Sequence, residues 1–322
     1  MYENKTIAAV IPCHNEETQI TQVIETMPDF VDSLIVVDDR SSDSTIATVK
    51  ALAATNARVH LIEHEHNEGV GGAIVTGYKH ARDEGIDVTV VMAGDAQMDP
   101  DDLPAIIGPV AREEVDYCKG NRLFTGEAFG KIPKIRYFGN AALSLLTKVA
   151  SGYWHVADSQ TGYTAINLRM LQLIDWDRTW KRYGCPNDYL VRLNIYNARV
   201  RDVPVTPVYG VGERSGIRLH KVIPRMLVLL TRLFFTRLVH KYIIRDFHPL
   251  VLFYAAGGAT LLAFFVFFVR LLIVFGTALR IDPATANIPD INALACGFLF
   301  ISAVQFFLFA MFFDMETNKD LR

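Results

Sequence analysis

Along the first two hundred residues, short apolar runs alternate with longer stretches of helical period. Thr6 to Ile11, Ser33 to Val37, Arg58 to Glu63 and Val88 to Val91 read as strands, with helices expected after Glu16, Ser44 and Gly72 and another near Asp101. Val88, Val90 and Val91 carry the mark of a strand buried on both faces. Strand and helix in alternation predict an α/β domain: a mostly parallel sheet covered by helices. Each strand runs into a polar cluster, IPCHNEE, VVDDRSSDST, HNEGVGGA or AGDAQMDP. Ligands in such folds lie at the carboxyl ends of strands, so four strand ends are expected to face one crevice. The pattern then changes. Leu250 to Val269 and Ile291 to Phe313 contain no charged residue, and each is long enough to cross the hydrocarbon core of a bilayer. The expected organisation is a catalytic-type domain over 1–215, juxtamembrane amphipathic helices over 216–248, and a two-helix transmembrane region over 249–322, spanning about 250–278 and 291–313.

Composition agrees with one large domain plus an appendage: 322 residues, 51% of them hydrophobic, with mean hydropathy +0.20. A formal net charge of -3 gives no reason to expect nucleic acid as a partner. Cys13, Cys118, Cys185 and Cys296 show neither metal-ligand nor disulfide spacing, which fits a reducing compartment. MYENKTIAAVIP has no basic region followed by an uninterrupted apolar core, so no secretory signal is expected. Arg232, Arg237, Lys241 and Arg245 precede the first span, whereas the link from Leu279 to Asp290 carries only Arg280, Asp282 and Asp290. That asymmetry predicts both termini on the cytoplasmic side of the inner (plasma) membrane. Arg214, Arg218, Lys221 and Arg225 lie in GERSGIRLHKVIPR, an amphipathic entry onto the membrane, and the wheel positions of the basic residues predict two interfacial helical pieces. Arg270, late in the first span, is expected to snorkel.

The polar clusters carry the candidate chemistry. Gly94 frees the backbone where Asp95, Gln97 and Asp99 follow at alternate positions. Oxygen ligands at a strand end suit a hard cation, Mg²⁺ or Mn²⁺, able to bridge nucleotide phosphates. The plainer alternative is a turn closed by Asp99-Pro100 that caps the next helix. Asn15 has a similar alternative as a helix N-cap. Asn67, Gly69, Gly71 and Gly72 allow either close approach to a ligand or tight helix packing; the stretch lacks both G-x-G-x-x-G and the Walker lysine, which disfavours a dinucleotide or ATP site. Arg122 and Arg136 offer bidentate guanidinium groups suited to phosphoryl oxygens, and Asn140 shares the face of Arg136 if that segment is helical.

In order along the chain, IPCHNEE, VVDD with SSD, N-G-GGA, the acidic strand end, GNR and D-QTGY resemble family 2 glycosyltransferases of the GT-A fold. The likeness is strongest to the polyprenyl-phosphate sugar transferases of the dolichol-phosphate mannose synthase type, in their bacterial membrane-bound branch. The resemblance implies that Pro12, Asn15 and Glu16 line a nucleotide-sugar pocket with Asn67 and Gly71, and that Asp38 and Asp39 contact base or ribose, Asp39 being preferred. Where relatives have glycine this chain has Arg40, and where the usual D-x-D begins it has Ala93. Asp95 and Gln97 match, so the implied metal is held by those two, the diphosphate and water. Arg122 and Arg136 are implied in phosphate contact, with Asn140, Arg214 and Lys221 on the acceptor or phosphate side. Asp158 and Asp188 match acids near the reacting centre, one of which would deprotonate a hydroxyl acceptor. A lipid phosphate, with a second pKa near ~6, is already largely ionised and needs no strong base. For Asp188 the alternative is capping of a helix Tyr189 to Asn197.

The implied protein is an inverting glycosyltransferase that moves one sugar from a UDP- or GDP-sugar to polyprenyl phosphate, with a homo-oligomer left open. The alternatives are a glycan or another lipid as acceptor, or a catalytically weak nucleotide-binding membrane scaffold, for which Ala93 speaks. Two spans and the absence of Q-x-x-R-W disfavour a processive synthase.

Overall fold

The computed structural model describes residues 1–123, 134–206, 208, 219–281 and 290–322, with the side chains of 134–141 and 219–222 outside that description. The chain opens on β1 (Ile7–Cys13), buried along its whole length, and passes through α1 (Ile20–Glu25) to β2 (Ser33–Asp38). α2 (Thr45–Thr55), β3 (Val59–Glu63), α3 (Val70–Asp83) and β4 (Val88–Val91) complete a parallel half. A 3₁₀ turn at Pro100–Asp102 leads into α4 (Leu103–Ala111), then β5 (Tyr117–Asn121), α5 (Lys134–Ser151) and β6 (Thr164–Asn167). α6 (Leu168–Leu173) and α7 (Cys185–Ile195) precede β7 (Val200–Pro204). The seven strands are ordered β3-β2-β1-β4-β6-β5-β7. β6 runs antiparallel to both of its neighbours, and the other pairs are parallel.

The two-residue period of the strands splits the core in two. Ile7, Ala9 and Ile11 point into one apolar cluster with Val23, Ile24, Ile106 and Ile107, while Ala8 and Val10 point into the other with Ala73, Ile74, Tyr78 and Tyr189. α3 lies so close to β1 that a Cβ on Gly77 would stand 2.3 Å from Val10 Cγ1.

The chain divides into two compact units, Met1–Arg237 with Asp320–Arg322, and Leu238–Lys319. In the first, α8 (Leu219–Val239) packs Met226, Leu229, Leu230 and Leu233 against Ala150, Val191 and Ile195, and leaves Ile223, Leu227, Val228 and Phe235 exposed. Arg237, expected among the membrane-facing cations, is instead buried, with Nε donating to Ala150 O (2.8 Å) and Nη2 to Val149 O (3.0 Å). A guanidinium thus satisfies carbonyls left open at the carboxyl end of α5. Val200 N–H donates to Leu321 O (2.9 Å), so residues 320–322 add to this unit beside β7.

In the second unit a π-helical turn (His240–Arg245) precedes α9 (Leu250–Ile281) and α10 (Asp290–Thr317), helices of 32 and 28 residues that are long and apolar enough to cross a membrane. The expected spans fall inside them. Phe253 packs on Phe306, Phe309 and Phe313, and Gly257 lets Phe307 approach α9 closely. Lys241, another expected membrane-facing cation, is also buried: its Nζ donates to Asn318 Oδ1 (2.7 Å) beside Tyr242, whose OH donates to Asp314 Oδ1 (2.6 Å).

Candidate active site

The strand ends are stitched together by short polar contacts. Gly94 N–H donates to Pro12 O (3.2 Å), and Asp39 N–H to Cys13 O (2.9 Å). Asn15, at φ 60°, accepts through Oδ1 from Ser42 N (2.7 Å) and Oγ (3.2 Å). Its side chain ties two loops together, whereas α1 starts only at Ile20 with Gln19 at its N-cap. Asp38 accepts from Ser41 N (2.8 Å) and Oγ (2.5 Å). Asp39 accepts from Glu68 N and Gly69 N, each at 2.7 Å, and lies 2.9 Å from His64 Nδ1; its main-chain oxygen accepts from Asn67 Nδ2 (3.1 Å). Both aspartates are buried, so their carboxylates are engaged by the loops themselves.

Of the two readings of the glycine-rich turn, tight packing is what Gly71 and Gly72 perform. A Cβ at Gly71 would lie 2.7 Å from Trp180 O and 2.8 Å from Cys185 Cβ, and Gly72 N–H donates to Lys181 O (3.1 Å). Gly69, at φ 90°, permits the bend into α3.

In the acidic loop Gln97 N–H donates to Asp95 Oδ1 (3.1 Å), and Ala96, at φ 56°, turns the backbone between them. Asp99 Oδ1 accepts from Asp101 N (3.0 Å), the capping role expected as the alternative to ligation. Burial and then the neighbouring Asp95 and Asp43 carboxylates push Glu16 up to about 7. Among the described residues no group of three or more His, Cys, Asp or Glu side chains gathers to hold a metal. Crowded acids with oxygen donors still fit a hard cation such as Mg²⁺ that takes much of its shell from a diphosphate and water. Asp95 and Gln97 are the residues that would hold it.

Beyond β6 the acids meet cations. Arg122 and Asp158, expected separately, form a two-pronged pair, Nε to Oδ2 at 2.8 Å and Nη2 to Oδ1 at 3.2 Å. Asp158 is buried while 39% of the Arg122 side chain is exposed. Burial alone would raise the Asp158 carboxyl, but the hydrogen bonds and charge of Arg122, with Lys119 behind, hold it below its ordinary value. The two halves of the site meet where Tyr163 OH donates to Asp99 O (2.8 Å).

Asp188 is placed differently from Asp158. α7 begins at Cys185 with Gly184 before it, so Asp188 is not an N-cap; its oxygens accept from Trp180 N (2.5 Å) and Arg192 Nε (2.9 Å). Burial raises its carboxyl despite those partners. Arg136 and Asn140 lie one turn apart on α5, as their spacing requires, with side chains outside the described residues. Arg214 and the Lys221 side chain also lie outside them. Lys119 and Asp202 escaped the motif reading; a lysine inside an apolar strand next to Gly120-Asn121-Arg122 was the available signal.

The fold is that of GT-A glycosyltransferases. Glucosyl-3-phosphoglycerate synthase from Mycobacterium tuberculosis, crystallised with phosphoglyceric acid, superposes with a TM-score of 0.54 at 21% identity, over 73% of this chain and 80% of that one. The same enzyme crystallised with Mn²⁺, UDP and phosphoglyceric acid gives 0.53. The model of Glycosyl transferase family 2 matches residues 8–173, and the chain belongs to that family. Among its relatives, the UDP-N-acetylglucosamine–dolichyl-phosphate N-acetylglucosaminyltransferase of Methanococcus voltae is 32% identical over 64% of this chain and 87% of its own length. The undecaprenyl-phosphate mannosyltransferase of Micrococcus luteus is 29% identical over 65% and 88%. The protein is a glycosyltransferase.

Proposed function

We propose that the protein transfers one sugar, with inversion, from a UDP- or GDP-sugar to polyprenyl phosphate at the cytoplasmic face of a membrane. The observation that carries this reading is the union, in one chain, of a GT-A crevice with a unit of two long apolar helices. The names of the two relatives point to the same class of acceptor. The state of Asp158 adds chemical support: a carboxyl held below its ordinary value by Arg122 is a weak base, which suits an acceptor phosphate already ionised better than a hydroxyl.

In this reading Pro12, Asn15, Glu16, Asp38, Asp39 and the Asn67–Gly71 turn shape the nucleotide end of the crevice. Asp95 and Gln97 would hold Mg²⁺ or Mn²⁺, which when bound supplies positive charge to the departing nucleoside diphosphate. Arg122 and Arg136 bind phosphoryl oxygens, and Asp158 orients Arg122 rather than taking a proton. Asn140, Arg214 and Lys221 receive the acceptor phosphate. Asp188 serves through the Trp180 segment that it anchors. The apolar stripe Ile223, Leu227, Val228 and Phe235 of α8 lies in the interface, and α9 and α10 span the bilayer as a hairpin. Both flanks of that hairpin belong to the first unit, which supports placing both on the cytoplasmic side.

The test is transfer of radiolabel from a panel of UDP- and GDP-sugars to undecaprenyl phosphate by detergent-solubilised protein, with and without Mg²⁺ or Mn²⁺. Metal-dependent labelled lipid is expected. Nucleotide binding with no labelled lipid from any donor would sink the acceptor assignment.

A further inference from the structure

Lys119 has no exposed surface, yet it stands in the middle of β5. Its Nζ donates to Thr161 O (2.5 Å), inside the loop that carries Asp158. Its register partner on β7 is Asp202. Asp202 Oδ2 accepts from Ala157 N (2.7 Å) and, at longer range, from Asn121 Nδ2 (3.5 Å), while Oδ1 is shielded from solvent without a hydrogen-bond partner among the described residues. The loop 157–161 is therefore gripped at three points: Ala157 by Asp202, Asp158 by Arg122, and Thr161 by Lys119. Desolvating an ammonium is costly, and an apolar residue would fill a strand core at lower cost. A lysine in that place calls for a role beyond packing.

We propose that Lys119 is a positioning residue for glycosyl transfer: with Asp202 it fixes the 157–161 loop from below, and its charge offsets the carboxylates there, so that Arg122 stays aimed into the crevice. The charged and titratable groups facing Lys119 are Asp158, Asp202, Arg122 and the Cys185 thiol. Those facing Asp202 include Lys119 and Asp158. Burial pulls Lys119 down to about 8 against the attraction of Asp158 and Asp202. Burial likewise pushes Asp202 up to about 6, opposed by Ala157 N–H and by Lys119. Without the ammonium both carboxyls would titrate higher.

The proposal rests on the glycosyltransferase reading but not on the identity of the acceptor. Lys119→Met should lower kcat about 10- to 100-fold while KM for the nucleotide sugar changes less than about threefold, the pattern of lost alignment rather than lost binding. The acidic limb of the pH–rate profile should move upward by about one unit. Lys119→Met combined with Asp202→Asn removes both charges and should recover roughly tenfold of the lost kcat, which also guards against a single variant that folds poorly. A loss of kcat with an unmoved acidic limb, or a double variant no better than Lys119→Met, would overturn the proposal. Failure of the wild-type protein to label polyprenyl phosphate would instead overturn the acceptor assignment, and the same variants would then be compared by nucleotide-sugar hydrolysis.

Discussion

On the parallel side of the sheet, Asp38 and Asp39 end on the backbone N–H groups of Ser41, Glu68 and Gly69. On the side beyond β6, Asp158 and Asp188 end on guanidinium groups, those of Arg122 and of Arg192. The difference is one of net charge. Backbone donors fill lone pairs without cancelling the charge, so the first half stays acidic; Glu16, in the same half, is pushed up to about 7 by burial and then by the Asp95 and Asp43 carboxylates. Guanidinium partners cancel the charge and leave planar donors for phosphate. An acidic half awaiting a cation and a balanced half presenting arginine are what a departing diphosphate and an incoming phosphate would each require.

The comparison breaks first at Asp95. Asp95→Asn should lower turnover in the transfer assay run with Mg²⁺ or Mn²⁺ by about 10³-fold, since it would weaken stabilisation of the leaving group; near-normal turnover would remove the proposed metal role. Next, Arg122→Met should cost about 10²-fold in kcat, and adding Asp158→Asn should restore the lost melting temperature but not the rate, because the neutral amide no longer leaves a buried charge unpaired. Asp188→Asn should destabilise by about 1–3 kcal/mol and slow turnover by less than about tenfold; a thousandfold loss at unchanged stability would move Asp188 to the reacting centre. Gly71→Ala should cost about 1–3 kcal/mol in thermal unfolding, because its Cβ meets the Trp180 carbonyl, whereas Gly162→Ala, facing Met98 Cε at 3.6 Å, should be close to neutral.

The smallest effect is a pH dependence. The Asp158 carboxyl is lowered in the folded protein, so its stabilisation is present above the ordinary carboxylate value near ~3.9 and is lost as pH falls through the lowered one. The stability gap between wild type and Asp158→Asn should therefore close under strongly acidic conditions. A gap that widens there would reverse the sign assigned to the Arg122 pair.

The parallel half was legible because its largely apolar strands each lead into a polar cluster, and β1 to β4 appear within a residue or two of expectation. β6 was not: it is no shorter than β4, but Thr164–Asn167 begins and ends on polar residues, and a strand's direction leaves no trace in its periodicity. Arg122 and Asp158 were each visible in their motifs, but their pairing depends on a tertiary approach between distant segments. Arg237 and Lys241 were misread for a related reason: a cation shortly before an apolar run looks the same in sequence whether it faces lipid or is buried on a polar group, as Arg237 is on Ala150 O and Lys241 on Asn318 Oδ1. The glycines of the Asn67 turn left both readings open until Trp180 and Cys185 were found against them.

The hydrogen bond from Val200 N–H to Leu321 O turns the apolar hairpin into an insertion: residues 238–319 leave the catalytic unit and residues 320–322 rejoin it. Excising the insertion is then a matter of joining two ends that belong to the same unit. A short flexible linker from Arg237 to Asp320 would keep the Leu321 carbonyl for β7, whereas truncation after Arg237 would forfeit it and uncover Val200. A water-soluble form of this enzyme is better sought by replacing the hairpin than by shortening the chain.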